Sequence, residues 1–106
     1  VTIDDLRESG VEADAEHVLM AWEQPAWSKE KLNRREYLAQ THRIIMLFGD
    51  DYGDFVHCTR AKALPPCTEG ATRASRHAAL DTYADYWGNG WYILPNPMHG
   101  SWTTVR

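Results

Sequence analysis

The sequence contains no hydrophobic run long enough to cross a membrane. The apolar run Ile44–Phe48 has five residues, whereas a membrane-spanning helix needs about 18 or more. An excess of basic residues is also missing, because 15 acids against 11 bases give a net charge of -4. That balance excludes the basic footprint of a nucleic-acid-binding protein. We therefore expect neither a membrane span nor a nucleic-acid partner for this chain.

Cysteine is scarce as well. Cys58 and Cys67 are the only cysteines among 106 residues, which excludes a disulfide-rich scaffold. Their separation allows a disulfide, but two free buried thiols fit the sequence equally well. A zinc site made from these cysteines with His57 and His77 matches no compact ligand spacing. The sequence also lacks a nucleophile elbow, a Walker loop and a dinucleotide fingerprint.

The chain does contain the residues of one small globular domain. Five Trp, five Tyr and two Phe exclude a disordered or fibrous protein. A domain of this size buries roughly two-thirds of its unfolded surface, so we expect a thin core. The chain begins at Val1 directly in helix-like sequence, from which we expect a processed or cut piece of a longer protein.

Hydrophobic patterning and turn residues predict an α/β fold. The predicted helices cover residues 2–9, 31–41, 54–63 and 71–87, and the predicted strands cover residues 17–21, 43–48 and 91–94. Their alternation favours a parallel sheet with right-handed crossovers. The strand at 43–48 is too apolar for a half-exposed strand, so we expect it in the middle of the sheet.

An acidic turn follows that strand. Asp50, Asp51 and Asp54 fall within five residues, just past the carboxyl end of the strand, where open α/β sheets bind ligands. A hard cation such as Mg²⁺ would relieve the repulsion between these carboxylates. The sequence leaves open a simpler interpretation, a solvated acidic turn in which Asp54 caps the next helix.

Two further features are candidates for ligand binding. Lys31 begins a predicted helix near the same sheet edge, where it would neutralise phosphate oxygens as a point charge; the alternative is a solvated basic face. Tyr52, Trp91 and Trp102 either line a pocket or belong to the core.

Three segments together resemble one family. Gly49–Phe55, preceded by a strand, resembles the fourth motif of haloacid-dehalogenase (HAD) phosphohydrolases, and Lys31–Arg34 resembles their lysine-bearing third motif. Trp91–Trp102 is similar to a segment of the class C acid phosphatases, HAD subfamily IIIB. The resemblance runs from Thr2 to Trp102. It implies a partial Rossmann-like core with a parallel sheet and flanking helices, of which residues 1–106 form the C-terminal portion of a single domain.

The resemblance also implies a chemistry and roles for particular residues. Members of the family hydrolyse phosphomonoesters through an aspartyl-phosphate with one Mg²⁺. Asp50 would bind the metal directly, Asp54 would support the metal or its waters, and Lys31 would bind the phosphoryl oxygens. Lys29 takes that role if the register shifts by two residues. Substrate-pocket positions fall on Tyr52, His99 and Trp102.

Two departures from the family pattern limit these expectations. His99 stands where relatives carry an aromatic residue that can stack on a base, which leaves a nucleotide preference open. The nucleophile motif Asp-x-Asp-x-Thr or -Val occurs nowhere in the sequence, nor does the Thr or Ser of the second motif. We therefore expect the chain alone to be inactive. The resemblance places the parent protein in the periplasm, at the outer membrane or outside the cell.

A second hypothesis is a non-catalytic interaction module. A half-sheet leaves an unpaired edge, which favours a homo-oligomer or pairing with a missing N-terminal half. A third is an unrelated cation-binding α/β domain.

Overall fold

A computed structural model describes residues 2–105 of the chain. It contains the helices α1 (Thr2–Glu8), α2 (Leu32–Ala39) and α3 (Arg73–Thr82), and the strands β1 (Leu47–Gly49) and β2 (Trp91–Ile93). Single 3₁₀ turns cover Tyr52–Asp54, Ala84–Tyr86 and Ser101–Thr103. The predicted helices at 2–9 and 31–41 are thus confirmed to within two residues at each end.

The third helix is well capped but shorter than predicted. The Thr72 hydroxyl accepts a hydrogen bond from the Ser75 amide, and the Ser75 hydroxyl accepts one from the Thr72 amide. This reciprocal capping box satisfies two amides that a helix start leaves free. Regular α-helix ends at Thr82, and Gly88, in the left-handed region at φ +73°, closes the 3₁₀ turn that follows. Of the predicted helix over residues 83–87, the structure therefore keeps only the 3₁₀ turn at Ala84–Tyr86.

The sheet has two parallel strands. Leu47, Phe48 and Gly49 pair with Trp91, Tyr92 and Ile93 in that order. Within residues 2–105, β1 pairs with β2 alone, so the prediction that the strand over 43–48 lies in the middle of a sheet was wrong for this chain. Ile45 is 73% exposed and Phe48 is 64% exposed. The apolar side chains of Ile45 and Phe48 therefore face solvent, and no layer of helices covers them in the described part of the chain.

Two other predicted elements did not form. Residues 17–21 follow turns and extended chain without joining a sheet, because the sheet of the described residues consists of β1 and β2 alone and neither strand pairs with them. The helix predicted over 54–63 stops after the 3₁₀ turn at Asp54. Cys58 has φ +58°, a left-handed conformation that interrupts a right-handed helix, and its side chain is joined to Cys67. The pairing that the sequence left open is thus a disulfide, and it removes both thiols from the zinc arrangement.

The core is thin, as predicted. Its buried apolar residues are Ala13, Trp27, Phe55, Val56 and Val105, while the buried polar residues are Ser28, Glu30, Asp51, Thr59, Arg76 and Ser101. Aromatic rings gather around Trp91, which contacts the rings of Phe55, Tyr83, Tyr86 and Trp87. This cluster joins β2 to the end of α3 and to the segment after the acidic turn. No helix in the described part of the chain has the length and apolarity to cross a membrane.

Candidate functional site

The acidic turn after β1 folds back on itself through Asp54. One oxygen of that carboxylate, Oδ2, accepts hydrogen bonds from the amides of Asp50 (2.9 Å) and Asp51 (3.1 Å). A Cβ at Gly49 would overlap the Asp54 side chain, so glycine is needed where the carboxylate approaches the strand. The bend of the chain at the end of β1 therefore depends on the Gly49–Asp54 contact.

The other oxygen of Asp54 binds Lys31. Lys31 Nζ lies 2.5 Å from Asp54 Oδ1, with the lysine side chain 43% exposed and the aspartate side chain 10% exposed. One helical turn further on, Arg35 Nη1 donates to the Asp54 carbonyl oxygen at 2.8 Å. Residues four apart share a face of a helix, so the start of α2 holds the turn from one side. The structure thus brings Lys31 to the acidic turn, while Lys29 has no such contact within the described residues.

Asp51 is buried and fully engaged. Its Oδ1 accepts hydrogen bonds from the Gly53 amide (2.9 Å) and the Ser101 hydroxyl (2.6 Å), and its Oδ2 accepts one from the Ser101 amide. Burial alone would raise the pKa of Asp51, but the hydrogen bonds from Ser101 and Gly53, with the positive charge of Arg60, outweigh it and lower the pKa. Asp51 therefore caps the 3₁₀ turn as an anion.

Sequence reasoning missed the support behind Asp51. Arg76 Nη1, on α3, donates to the Ser101 hydroxyl and to the Thr59 carbonyl oxygen, both at 2.5 Å. Its guanidinium also lies 4.8 Å above the centre of the Tyr52 ring. Arg76, Ser101 and Asp51 thus form one buried chain of hydrogen bonds. It joins α3 to the acidic turn through the 3₁₀ turn at Ser101. A charged residue inside a predicted helix was its only sequence signal.

The carboxyl ends of the two strands meet at one edge. Asn96, beyond β2, donates from Nδ2 to Asp50 Oδ2 at 2.6 Å. Its own amide oxygen accepts hydrogen bonds from the backbone of Met98 and His99, which orients the loop that carries His99. Parallel strands place their carboxyl ends together, and this edge is where α/β sheets bind ligands. Asn96 was not predicted as a site residue, although its position after the strand is the available signal.

A cleft of about 550 Å³ opens at this edge. Four predicted site residues line it: Lys31, Asp50, Asp54 and His99. Lys29, Arg60 and Lys62 line it as well, and the sequence did not indicate the last two. Four cationic side chains and three carboxylates, those of Asp50, Asp51 and Asp54, therefore line one cavity. The cations outnumber the acids by one, a balance that suits an anionic ligand.

The remaining predicted pocket residues lie beside the cleft. Tyr52 and Trp102 line two smaller cavities of about 320 and 270 Å³, and both cavities also contact Arg76. Asp50 borders the second of these and the main cleft alike. The ring of Tyr52 packs 5.8 Å from that of Trp87, which gives it a structural contact on the core side, while Trp102 is exposed.

One wall of the cleft carries Lys29, Arg60 and Lys62, and buried contacts hold this basic wall in place. Its outer part is the loop 58–67, which the disulfide closes. Glu30, 1% exposed, accepts a hydrogen bond from the Cys58 amide at Oε2 (3.2 Å). Its Oε1 lies 3.6 Å from Arg60 Nε, and the Ser28 hydroxyl donates to the Pro65 carbonyl oxygen at 2.5 Å. The segment that carries Lys29 and Lys31 is thereby fastened to the loop.

The donor set is incomplete for a metal ion. Among residues 2–105, no group of three His, Cys, Asp or Glu side chains is placed to hold one. Asp54 uses both oxygens within the protein, whereas Asp50 is exposed and engages one oxygen with Asn96. Mg²⁺ binds one or two protein carboxylates and keeps several waters. The position of Asp50 is therefore suited to direct binding of a Mg²⁺ ion. Asp54, whose two oxygens are engaged, is suited to hold Lys31 and the backbone of Asp50 in place.

A comparison with known families accounts for this arrangement. Residues 1–102 match the sequence profile of the HAD superfamily, subfamily IIIB (acid phosphatase). The chain belongs to this acid phosphatase family. The predicted family is thus confirmed, together with the α/β fold class.

Solved structures of class C acid phosphatase from Bacillus anthracis share the fold. One aligns with a TM-score of 0.73 and 33% identity over 95% of the chain, and a tungstate-bound form aligns with a TM-score of 0.74 at the same identity and coverage. The chain spans only 37% and 38% of those proteins' lengths. A search of curated protein sequences found no match.

Proposed function

We propose that this acid phosphatase segment supplies the phosphoryl-binding lysine and a Mg²⁺ ligand of an enzyme that hydrolyses phosphomonoesters through an aspartyl-phosphate. The observation that carries the proposal is the Lys31–Asp54 ion pair, with Nζ 2.5 Å from Oδ1 at the carboxyl edge of the sheet. The cation is anchored yet remains 43% exposed toward a cleft lined by Asp50.

Lys31 acts in this proposal as a positioned positive charge. Phosphoryl transfer depends mainly on positioning and on electrostatic stabilisation of the phosphoryl oxygens. Asp54 fixes the ammonium through one oxygen and the backbone of Asp50 through the other. Both groups are therefore oriented before a ligand arrives, so binding does not have to order them.

Asp50 is the proposed metal ligand. The amide of Asn96 orients its carboxylate through Oδ2, and the exposed side chain faces the cleft. A bound Mg²⁺ would neutralise charge on the phosphoryl oxygens. The remaining ligands and the nucleophilic aspartate would come from residues outside this chain, because the sequence contains no Asp-x-Asp-x-Thr.

We extend the proposal to the domain: residues 1–106 form the C-terminal portion of a single acid phosphatase domain. The exposure of Ile45 and Phe48 supports it, since a buried strand of such apolarity is expected once covering layers are present. The greater length of the solved relatives supports it as well. The disulfide supports a periplasmic, outer-membrane-associated or secreted parent, because such bonds persist in oxidising compartments.

The test uses oxyanion binding and turnover by the purified chain. We expect tungstate, a tetrahedral oxyanion, to bind in calorimetry, and we expect Lys31→Gln to weaken it by about tenfold or more. The matched control Arg43→Gln removes the same charge at an exposed position outside the cleft and should leave binding as it was. We expect no hydrolysis of p-nitrophenyl phosphate with Mg²⁺. Tungstate binding that is indifferent to Lys31→Gln, or robust turnover, would contradict the proposal.

A second candidate function is a non-catalytic interaction module. The observation that favours it is β1, which is paired on one side only and exposes Phe48. Unpaired apolar edges favour association of chains. Light scattering separates the candidates, because a homo-oligomer that forms through β1 would dissociate in the variant Phe48→Lys, whereas a stable monomer counts against this function.

A further inference from the structure

We propose that Lys29 and Lys62 form a second anion-binding position on the wall of the cleft, so that the site favours phosphomonoesters that carry a second phosphate group. The inference rests on the proposed function, which assigns the first phosphate to Lys31. It adds a substrate class, the bisphosphates of small polyols and sugars.

The distribution of lysine is the first observation. The chain has three lysines, Lys29, Lys31 and Lys62, and all three line the same cleft. The protein as a whole carries a net charge of -4, so this concentration of ammonium groups is opposite in sign to the rest of the chain. Three aspartates line the cleft as well, so the four cations leave a small excess of positive charge there, and a concave site with such an excess attracts anions.

The second observation is that two of the cleft's cations are already paired and two are not. Lys31 binds Asp54 at 2.5 Å, and Arg60 lies 3.6 Å from the buried Glu30. Lys29 and Lys62 are exposed, and within residues 2–105 neither has an ion pair. Because no carboxylate of the described residues forms an ion pair with them, their ammonium groups remain available for a ligand.

The third observation concerns the backbone beneath the two lysines. Lys29 lies between Ser28 and Glu30, which are 0% and 1% exposed. Those two neighbours bind the loop 58–67 that carries Lys62, through Ser28 to Pro65 and Glu30 to Cys58. The disulfide closes the same loop. The two ammonium groups thus extend from segments that are fastened together, which lowers the entropic cost of gathering them around one anion.

The size of the cleft agrees with a ligand larger than inorganic phosphate. Its volume of about 550 Å³ falls in the range of roughly 300–1,000 Å³ that is usual for small-molecule sites. A ligand whose first phosphate contacts Lys31 therefore has room to extend a second phosphate along the wall formed by Lys29 and Lys62.

The experiment compares two ligands that differ by one phosphate. Calorimetry of the chain at fixed ionic strength gives the dissociation constants of fructose 6-phosphate and fructose 1,6-bisphosphate. We expect the bisphosphate to bind at least about threefold more tightly, the scale of an exposed ion pair. In the double variant Lys29→Gln/Lys62→Gln the ratio of the two constants should fall to about one. The control Arg43→Gln should keep the wild-type ratio.

The outcomes separate this inference from the proposed function. Equal affinity for both ligands in the wild type overturns the inference alone, and so does a bisphosphate preference that survives the double substitution. Failure of tungstate and both sugar phosphates to bind contradicts the proposed function, and the inference falls with it.

Discussion

The ammonium of Lys31 and the carboxylate of Asp54 form an ion pair 2.5 Å long across 23 residues. The same carboxylate accepts hydrogen bonds from two backbone amides through its second oxygen. One side chain therefore ties the start of α2 to the end of β1 and shapes the turn between them. Folding stability and the proposed phosphoryl binding would therefore depend on the same group.

The first prediction concerns the loss of that carboxylate. Asp54→Ala removes the acceptor of the part-buried Asp51 amide, the acceptor of the Asp50 amide and the ion-pair partner of Lys31. A part-buried group left without its partner costs about 1–3 kcal/mol. We expect the free energy of unfolding, measured in urea, to fall by about 2 kcal/mol. Asp81→Ala removes an exposed carboxylate from α3 and should change it by less than about 0.5 kcal/mol. Equal effects of the two substitutions would show that Asp54 has no special structural role.

The second prediction concerns acid unfolding and Asp51. Because hydrogen bonds and Arg60 lower the pKa of Asp51 in the folded chain, its contribution is fully present above the unfolded pKa of about 3.9. It is lost as the pH falls through the lower folded value. We expect the stability difference between wild type and Asp51→Asn to stay constant above about pH 5 and to shrink below about pH 4.

Urea unfolding from pH 2.5 to 7, in buffer with a chelator, measures this difference. The other carboxylates titrate in both proteins, so their effects cancel in the comparison. The groups that face Asp51 are Arg60 and Arg76, and both keep their charge over this range. A difference that grows toward low pH would contradict the assignment.

The third prediction concerns coupling between Arg76 and Ser101. Arg76→Met leaves the Ser101 hydroxyl without its buried donor, and Ser101→Ala removes the acceptor from the guanidinium. We expect each single change to destabilise the fold, and the double variant to be more stable than the sum of the two by about 1–2 kcal/mol. A double-mutant cycle in urea measures the coupling. Arg73→Met, at an exposed position of α3, combined with Ser101→Ala should be additive.

The fourth prediction concerns the disulfide between Cys58 and Cys67. It closes a short loop, and such cross-links stabilise a fold by about 2–4 kcal/mol. We expect Cys58→Ser/Cys67→Ser to lower the melting temperature and to weaken binding of fructose 1,6-bisphosphate more than that of tungstate, because the loop carries Lys62. An equal loss of affinity for both ligands would contradict this prediction, because it would show that the loop does not act specifically on the second phosphate.

The position of the candidate site could be predicted because its signals are local. Asp50 and Asp54 follow an apolar run, and a sheet's carboxyl edge binds ligands whichever strands complete it. Lys31 stands at the start of a helix, and its motif precedes the acidic turn along the chain, as in the family. These features do not depend on the burial of the strand, so the structure brings Lys31, Asp50 and Asp54 to one cleft although the strand is not central.

The support of the site could not be predicted because its contacts are distant in sequence. Asp51 and Ser101 are 50 residues apart, and no periodicity links a turn to a serine near the end of the chain. Cys58 lies within the stretch predicted as a helix over 54–63, yet its left-handed backbone ends any helix there. Tertiary constraints of this kind override local propensity.

The bare face of β1 also affects how the protein behaves in concentrated solution. Like charges keep chains apart at pH 7, where the net charge is -4, but that repulsion vanishes near the isoelectric point of about 5.7. Phe48 on β1 and Ile45 just before it are exposed, and neither carries a charge that changes with pH. Colloidal stability should therefore be lowest in mildly acidic buffer.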